Sequence, residues 1–267
     1  MDAGQKERPL AVVTGASSGI GWAIARQLVE RGHDLVIAAA DEELKEAAVC
    51  LEQGGAQVVA QQVDLAAADG VEQLYSAIAS TGRPVDAAVL NAGVGAPGNF
   101  HHTPLEADLE VVDLNVRSVV HLTKLLLPAM VDEGRGRLLF TSSIAAFGPG
   151  PYHATYAASK AFVHLFAEGL RHELRGTGVT VTSLMPGPTD TAFFDRAEMR
   201  DTRIGRIPKD DPDEVARDAY DAMMAGKERV VAGSVLNRIQ ALGAGFVPDR
   251  LKAYAQAFLT KPQSGER

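Results

Sequence analysis

The sequence predicts an α/β fold, a doubly wound parallel sheet of about seven strands with helices on both faces. Three observations carry that prediction. Short apolar runs alternate with segments of helical spacing along the chain, the pattern of strands linked by crossover helices. Most runs are rich in Val, Leu or Ile, and several are apolar at consecutive positions, as expected for strands covered on both faces. The first run also passes directly into a glycine-rich turn that opens a helix.

The strands are expected at 10–14, 34–40, 57–64, 86–91, 137–142, 179–185 and 229–232. Helical spacing occupies 20–31 after the first strand and 42–53 after the second. Thr103-Pro104-Leu105-Glu106 offers an N-cap, a proline at the first helical position and a capping-box glutamate. Asp211-Pro212-Asp213-Glu214 repeats the arrangement ahead of a helix at 215–224. Both acidic clusters are read as caps, not metal ligands. The tail, 234–267, has mixed helical patterns at 235–244 and 248–259 and a frayed end, and is expected to pack on the core or on a neighbouring subunit. No repeat and no linker divides the chain, so 1–267 is expected to form a single domain.

Composition narrows the function classes. The 267 residues are 46% hydrophobic and 22% charged, which fits a globular chain and excludes disorder for most of it. A net charge of −8 argues against a nucleic-acid partner, because phosphate binding needs clustered Lys and Arg. Cys50 is the sole cysteine, so no internal disulfide can form, in keeping with a reducing compartment. No stretch reaches the ~20 apolar residues of a membrane span, and the N-terminus resembles no leader peptide. A cytoplasmic protein without membrane contact is expected. None of the seven histidines falls in an HExxH arrangement and no acidic cluster has calcium-loop spacing, so no metal site is expected.

Two motifs carry chemistry. Thr14-Gly15-Ala16-Ser17-Ser18-Gly19-Ile20-Gly21 follows the first strand with spacing GxxxGxG. Its glycines permit a tight turn and close approach of backbone to a ligand, and the helix N-terminus behind it attracts a phosphate. Far downstream stands Tyr156-Ala157-Ala158-Ser159-Lys160. Residues four apart share a helix face, so phenol and ammonium can converge. A nearby cation lowers a phenol pKa by about 1–3 pH units, which would make Tyr156 a usable general acid or base. Taken singly, a glycine-rich turn and a Tyr/Lys pair are each common.

Together they are far more specific, and the sequence resembles the short-chain dehydrogenase/reductase family in its shorter, single-domain branch. The pattern runs from about residue 10 to 233. The glycine turn matches the family's TGxxxGxG loop, Asp64-Leu65 its adenine-contacting pair, and Asn91-Ala92-Gly93 its NAG motif. Asn115 stands where the family places a helix asparagine. Ser143 precedes Tyr156 by the family spacing of the catalytic serine, with Ser142 as its competitor. Pro186-Gly187, with Thr189 and Thr191, matches the segment that holds the nicotinamide.

The resemblance implies a Rossmann-like fold and hydride transfer between NAD or NADP and a carbonyl or secondary alcohol. By that resemblance Asn115, Ser143, Tyr156 and Lys160 form the catalytic set. Tyr156 exchanges the proton, and Lys160 lowers its pKa and holds the nicotinamide ribose. Ser143 holds the substrate oxygen, and Asn115 positions a water that links Lys160 to solvent. The polar Asn115 side chain is also expected to distort its helix. Cofactor contacts are expected from Gly15, Ser17, Ser18, Gly19, Ile20, Gly21, Asp41, Asp64, Leu65, Asn91, Ala92, Gly93, Tyr156, Lys160, Pro186, Gly187, Thr189 and Thr191. A homodimer or homotetramer, paired through helices at 104–130 and 155–175, is implied in the same way.

The chain departs from the family pattern at cofactor choice. Ala39 stands where NAD users carry Asp, Ala40 where NADP users carry Arg, and Ser18 where a loop cation assists NADP. Asp41 comes just after, able to bind a ribose hydroxyl or repel a 2′-phosphate, so the balance favours NAD. The pocket loops contain Phe100, Phe147, Tyr152, Phe193, Phe194 and Met199, which point to a medium-sized, mostly apolar small-molecule substrate. The segment 187–209 is the expected substrate loop and lid. A nucleotide-binding sensor or assembly protein remains the alternative, with epimerisation or dehydration on the same fold a third. A sensor has no need of Ser143 or a general acid.

Overall fold

The structure is a computed structural model and describes residues 8–193, 202–233 and 248–261. Seven strands, β1 (Leu10–Thr14), β2 (Asp34–Ala39), β3 (Val58–Gln62), β4 (Val85–Leu90), β5 (Gly136–Thr141), β6 (Val179–Pro186) and β7 (Arg229–Ala232), form one sheet of order β3-β2-β1-β4-β5-β6-β7. Every pairing is parallel. The side-chain period of two splits each central strand between two cores. Ala11 and Val13 of β1 pack with Ile24 and Leu28 on one face. Leu10 and Val12 pack with Leu74 and Leu122 on the other.

The helices are α1 (Gly19–Glu30), α2 (Glu43–Gln53), α3 (Ala68–Ser80), α4 (Leu105–Val112), α5 (Ser118–Asp132), α6 (Ala154–Glu173), α7 (Arg203–Arg206), α8 (Pro212–Met224) and α9 (Asp249–Thr260). A π-helical turn, Asp113–Arg117, joins α4 to α5, and it contains Asn115. Among the described residues no helix is long and apolar enough to cross a membrane.

Of the two expected caps, one forms as expected. Asp211 accepts a hydrogen bond from the Asp213 N–H at 2.9 Å, and Pro212 opens α8. At α4 the capping box does not form. Pro104, with ψ 138°, lies outside the helix, and no side chain caps it. The Thr103 hydroxyl instead donates to Asp108 at 2.7 Å, a buried carboxylate that also accepts from Thr155 of α6. Tertiary pairing of Asp108 with two hydroxyls outweighs local capping here. Strand ends fall short of expectation at Ala39 and Gln62. The expected helix at 235–244 lies outside the described residues, whereas 248–259 appears as α9.

Candidate active site

The order of the sheet creates the site. From β1 the chain builds outward to β2 and β3, and from β4 it builds the opposite way to β5, β6 and β7. Connections that leave in opposite directions open a crevice at the carboxyl ends of β1 and β4, where α/β sheets bind ligands. The glycine turn after β1 and Asn91-Ala92-Gly93 after β4 face each other across it. Thr14 Oγ1 accepts from the N–H groups of Asn91 and Ala92 at 2.9 and 3.0 Å. Asn91 Nδ2 donates back to the carbonyls of Thr14 and Gly15 at 3.2 and 3.3 Å, and Thr141 donates to its Oδ1 at 3.2 Å.

This crossing demands glycine. Gly15 has φ +65°, and a Cβ there would stand 3.0 Å from Ala92 Cα. A Cβ on Gly21 would lie 2.1 Å from the Gly15 carbonyl oxygen. Ser18 occupies the cap position of α1 with no side-chain cap bond, so its hydroxyl leaves the first-turn N–H groups of α1 uncapped. Backbone that only glycine permits, facing a helix N-terminus, fits the pyrophosphate of a dinucleotide. Thr191 lies against Gly19, its Cγ2 3.0 Å from where a Cβ would be, which brings the segment after β6 over the same turn. Pro186 ends β6, and Thr189 donates to the Gly187 carbonyl at 3.0 Å. The Thr189–Asp210 bridge ties both ends of the following loop together.

Around the crevice, Ser17 donates to Asp41 at 2.9 Å, binding the glycine turn to the end of β2. Leu65 joins Thr14 and Ala92 around a small cavity. Asp64 is exposed and accepts from the Ala66 N–H at 2.8 Å. Ile20 packs against the core through the first turn of α1.

On the opposite wall, α6 and the turn after β5 assemble the acid/base group. Lys160 is buried and donates from Nζ to the Thr141 carbonyl at 2.9 Å, and a Cβ on Gly93 would come within 3.1 Å of that Nζ. The lysine therefore stands directly beneath the post-β4 backbone. Burial holds its pKa down at about 8. Burial pushes the Tyr156 phenol up to about 12, with hydrogen bonding from Ser143 opposing the rise. The expected lowering by Lys160 is not found. Its Nζ lies 5.8 Å from the Tyr156 ring centroid, and desolvation outweighs a cation at that distance.

The two serines separate. Ser142 Oγ donates to the Lys160 carbonyl at 2.7 Å and is used in holding α6, while Ser143 faces Tyr156 and caps the following turn by accepting from the Ala145 N–H at 3.1 Å. Asn115 is 1% exposed. Its side chain exchanges hydrogen bonds with both backbone groups of Val94 at 2.9 Å and donates to Ser159 at 3.0 Å. Both amide hydrogens are thus committed, and the side chain clamps the post-β4 loop to α6. Its helix is distorted there, as the π-helical turn records.

Of the expected pocket aromatics, Phe193 lies 5.4 Å from Tyr156 ring to ring. Phe100 is exposed, and Phe147 packs edge-on against His164 at 6.1 Å. Phe194 and Met199 lie outside the described residues. Sequence reading missed two neighbours. His153 is buried 5.9 Å from the Tyr156 ring, and its position one turn before Tyr156 was the available signal. Helix α9 braces both substrate loops: Lys252 donates to the Phe147 carbonyl at 3.1 Å, Thr260 to Pro151 at 2.7 Å, and Arg203 to Phe258 at 2.8 Å. Nothing local in 248–260 announces those partners. Among the described residues no group of His, Cys, Asp and Glu is arranged to hold a metal.

Comparison with known proteins bears on the same site. A family model described as short chain dehydrogenase matches residues 9–201. An uncharacterized oxidoreductase of Myxococcus xanthus (strain DK1622) is 38% identical over 180 residues, 66% of this chain and 70% of that protein. A short-chain dehydrogenase from Sphingobium yanoikuyae, solved in complex with NADPH, aligns with a TM-score of 0.79 at 27% identity, covering 97% of this chain and 99% of its own. A short chain dehydrogenase/reductase from Burkholderia phymatum, solved with NAD, gives 0.79 at 25% identity and 98% of each chain.

Proposed function

Because this chain belongs to the short chain dehydrogenase family, we propose that it is an NAD(P)-dependent oxidoreductase for a carbonyl or secondary alcohol on a medium-sized, mostly apolar substrate. The observation that carries the proposal is the convergence of Tyr156, Ser143 and Lys160 on a crevice whose other wall is the glycine turn. A bound nicotinamide supplies or accepts the hydride. The chain's own residues handle the proton and the oxygen. Tyr156, still protonated at neutral pH with its pKa near 12, is in the form that donates to a forming alkoxide. Ser143 holds the reacting oxygen beside it. Lys160 supplies positive charge below the pair and a donor for the cofactor ribose. Asn115 positions Val94 and α6 relative to each other.

NAD is the favoured cofactor. The Ser17–Asp41 hydrogen bond supports this choice, because it keeps a carboxylate at the end of β2, where it accepts from ribose hydroxyls and repels a 2′-phosphate. The structures solved with NADPH and with NAD match this chain equally well, so the choice rests on Asp41 and Ala40. The loop at 187–209 serves as the substrate loop. Pairing into dimers or tetramers through α4, α5 and α6 is supported by Leu105, Leu109, Phe162 and Leu165, all exposed on those helices.

The test is a parallel titration with NADH and NADPH, read by quenching of Trp22 beside Gly21. Saturable binding with NADH the tighter is expected. A folded protein that binds neither would overturn the proposal.

A further inference from the structure

His153 is nine-tenths buried, yet Nε2 has no hydrogen-bond partner. No hydrogen bond among the described residues involves either ring nitrogen, so packing alone holds the imidazole. Leu or Phe would fill that volume without stranding a nitrogen. Buried polar groups in native proteins are nearly always paired, and an orphan calls for an explanation. The surrounding loop is shaped around this ring. Tyr152 is the one non-glycine residue with positive φ, 63°, among those described, and such strain in a bulky residue clusters at functional sites. Its carbonyl is held by the Gly98 N–H at 2.7 Å. A Cβ on Gly150 would meet Ala157 at 2.5 Å and the His153 ring at 3.2 Å, so glycine is what lets the loop close over the imidazole.

We propose that His153 is a specificity residue whose imidazole hydrogen-bonds a second oxygen function of the substrate, on the carbon next to the reacting one, as in an α-hydroxy ketone or a vicinal diketone. The assignment rests on the oxidoreductase reading, since Tyr156 must hold the reacting oxygen. A ring 5.9 Å from that of Tyr156 then reaches an oxygen on the neighbouring carbon. Burial holds the His153 pKa down at about 4, so the ring is neutral and offers one donor and one acceptor, suited to a hydroxyl or a carbonyl.

The test compares α-hydroxyacetophenone with propiophenone, which differs at that carbon by a methyl in place of the hydroxyl. Affinity is measured with oxidised nicotinamide bound, so that the ketone cannot be reduced while Tyr156 still holds its oxygen, and kcat/KM is measured with reduced nicotinamide. A preference of about tenfold for the hydroxy ketone is expected, the worth of one hydrogen bond. His153→Phe should abolish the preference through KM with kcat little changed, and His153→Gln, which keeps a donor and an acceptor, should restore part of it. His153→Leu guards against misfolding of the phenylalanine variant. Equal affinity for the two ketones, affinity for neither, or a preference that survives His153→Phe overturns the proposal. The expected binding pattern without nicotinamide oxidation by the unmodified enzyme would instead count against hydride transfer and leave the role of His153 standing.

Discussion

The two walls of the crevice are built by different means. Between β1 and β4, contact is made by backbone and short side chains: Gly15, Gly21, Thr14 and Asn91 meet within one strand-to-turn crossing. Beyond β5 and β6 the wall is made of loops whose shape depends on partners far away in sequence, such as Lys252 on Phe147 and Thr260 on Pro151. Where a ligand must touch backbone, few residues are permitted and the pattern is local and repetitive. Where side chains fill a pocket, many solutions exist, and the chain can vary them independently. One wall therefore marks the family, and the other marks the substrate.

That contrast can be broken or sharpened by substitution. Removing the proton donor has the largest expected effect: Tyr156→Phe should lower kcat by about 10²–10⁴ while nucleotide affinity, read by titration, is unchanged. Substantial residual turnover would take Tyr156 out of the acid/base role. Gly21→Ala comes next. Its Cβ would press on the Gly15 carbonyl, so stability should fall by about 1–3 kcal/mol, read by denaturant unfolding, and nucleotide affinity with it. A variant of unchanged stability that binds nucleotide normally would show that residue 21 does not pack against the Gly15 carbonyl.

The acid/base wall should respond to pH through Lys160. Its pKa of about 8 lies below the ordinary lysine value of 10.5 because burial disfavours the charged form. Carbonyl reduction, if it needs that charge, should fall about fivefold between pH 8 and pH 9, well before Tyr156 loses its proton near 12. Folding stability moves the other way. Between about pH 8 and 10.5 the unfolded chain binds the proton that buried Lys160 has lost, so this lysine's contribution rises with pH. A flat rate profile through that window would show that the lysine charge is not needed. The smallest expected effect is on cofactor choice. Ala40→Arg, beside Asp41, should shift the NADH/NADPH affinity ratio toward NADPH by about tenfold, the worth of one phosphate contact. An unchanged ratio would mean that residue 40 does not face the 2′ position.

The legibility of the molecule follows the same division. The five inner strands could be read because parallel strands are buried on both faces, which leaves runs such as Val12-Val13 and Val36-Ile37 with no polar alternation. The edge strands β3 and β7 are more exposed and were legible from their Val pairs. The glycine turn and the Tyr156–Lys160 spacing were readable because each is a local geometric requirement. The failed cap at Thr103 was not, because Asp108 draws its hydroxyl into a tertiary cluster with Thr155, 47 residues beyond that aspartate. Nor was the tyrosine pKa: spacing places Lys160 near the phenol, but burial and the Thr141 carbonyl decide where its ammonium rests. The orphan nitrogen of His153 depends on what does not surround it, and a lone histidine in a sequence carries no sign of that.

Hydride transfer itself is tested most directly with reduced nicotinamide labelled with deuterium on C4, incubated with the protein and a set of apolar ketones. The account predicts deuterium on the carbinol carbon of the alcohol product, with one epimer at C4 of the cofactor giving up its label. Saturable cofactor binding with no label transferred to any ketone would contradict it, and would leave a nucleotide-binding protein in place of an enzyme.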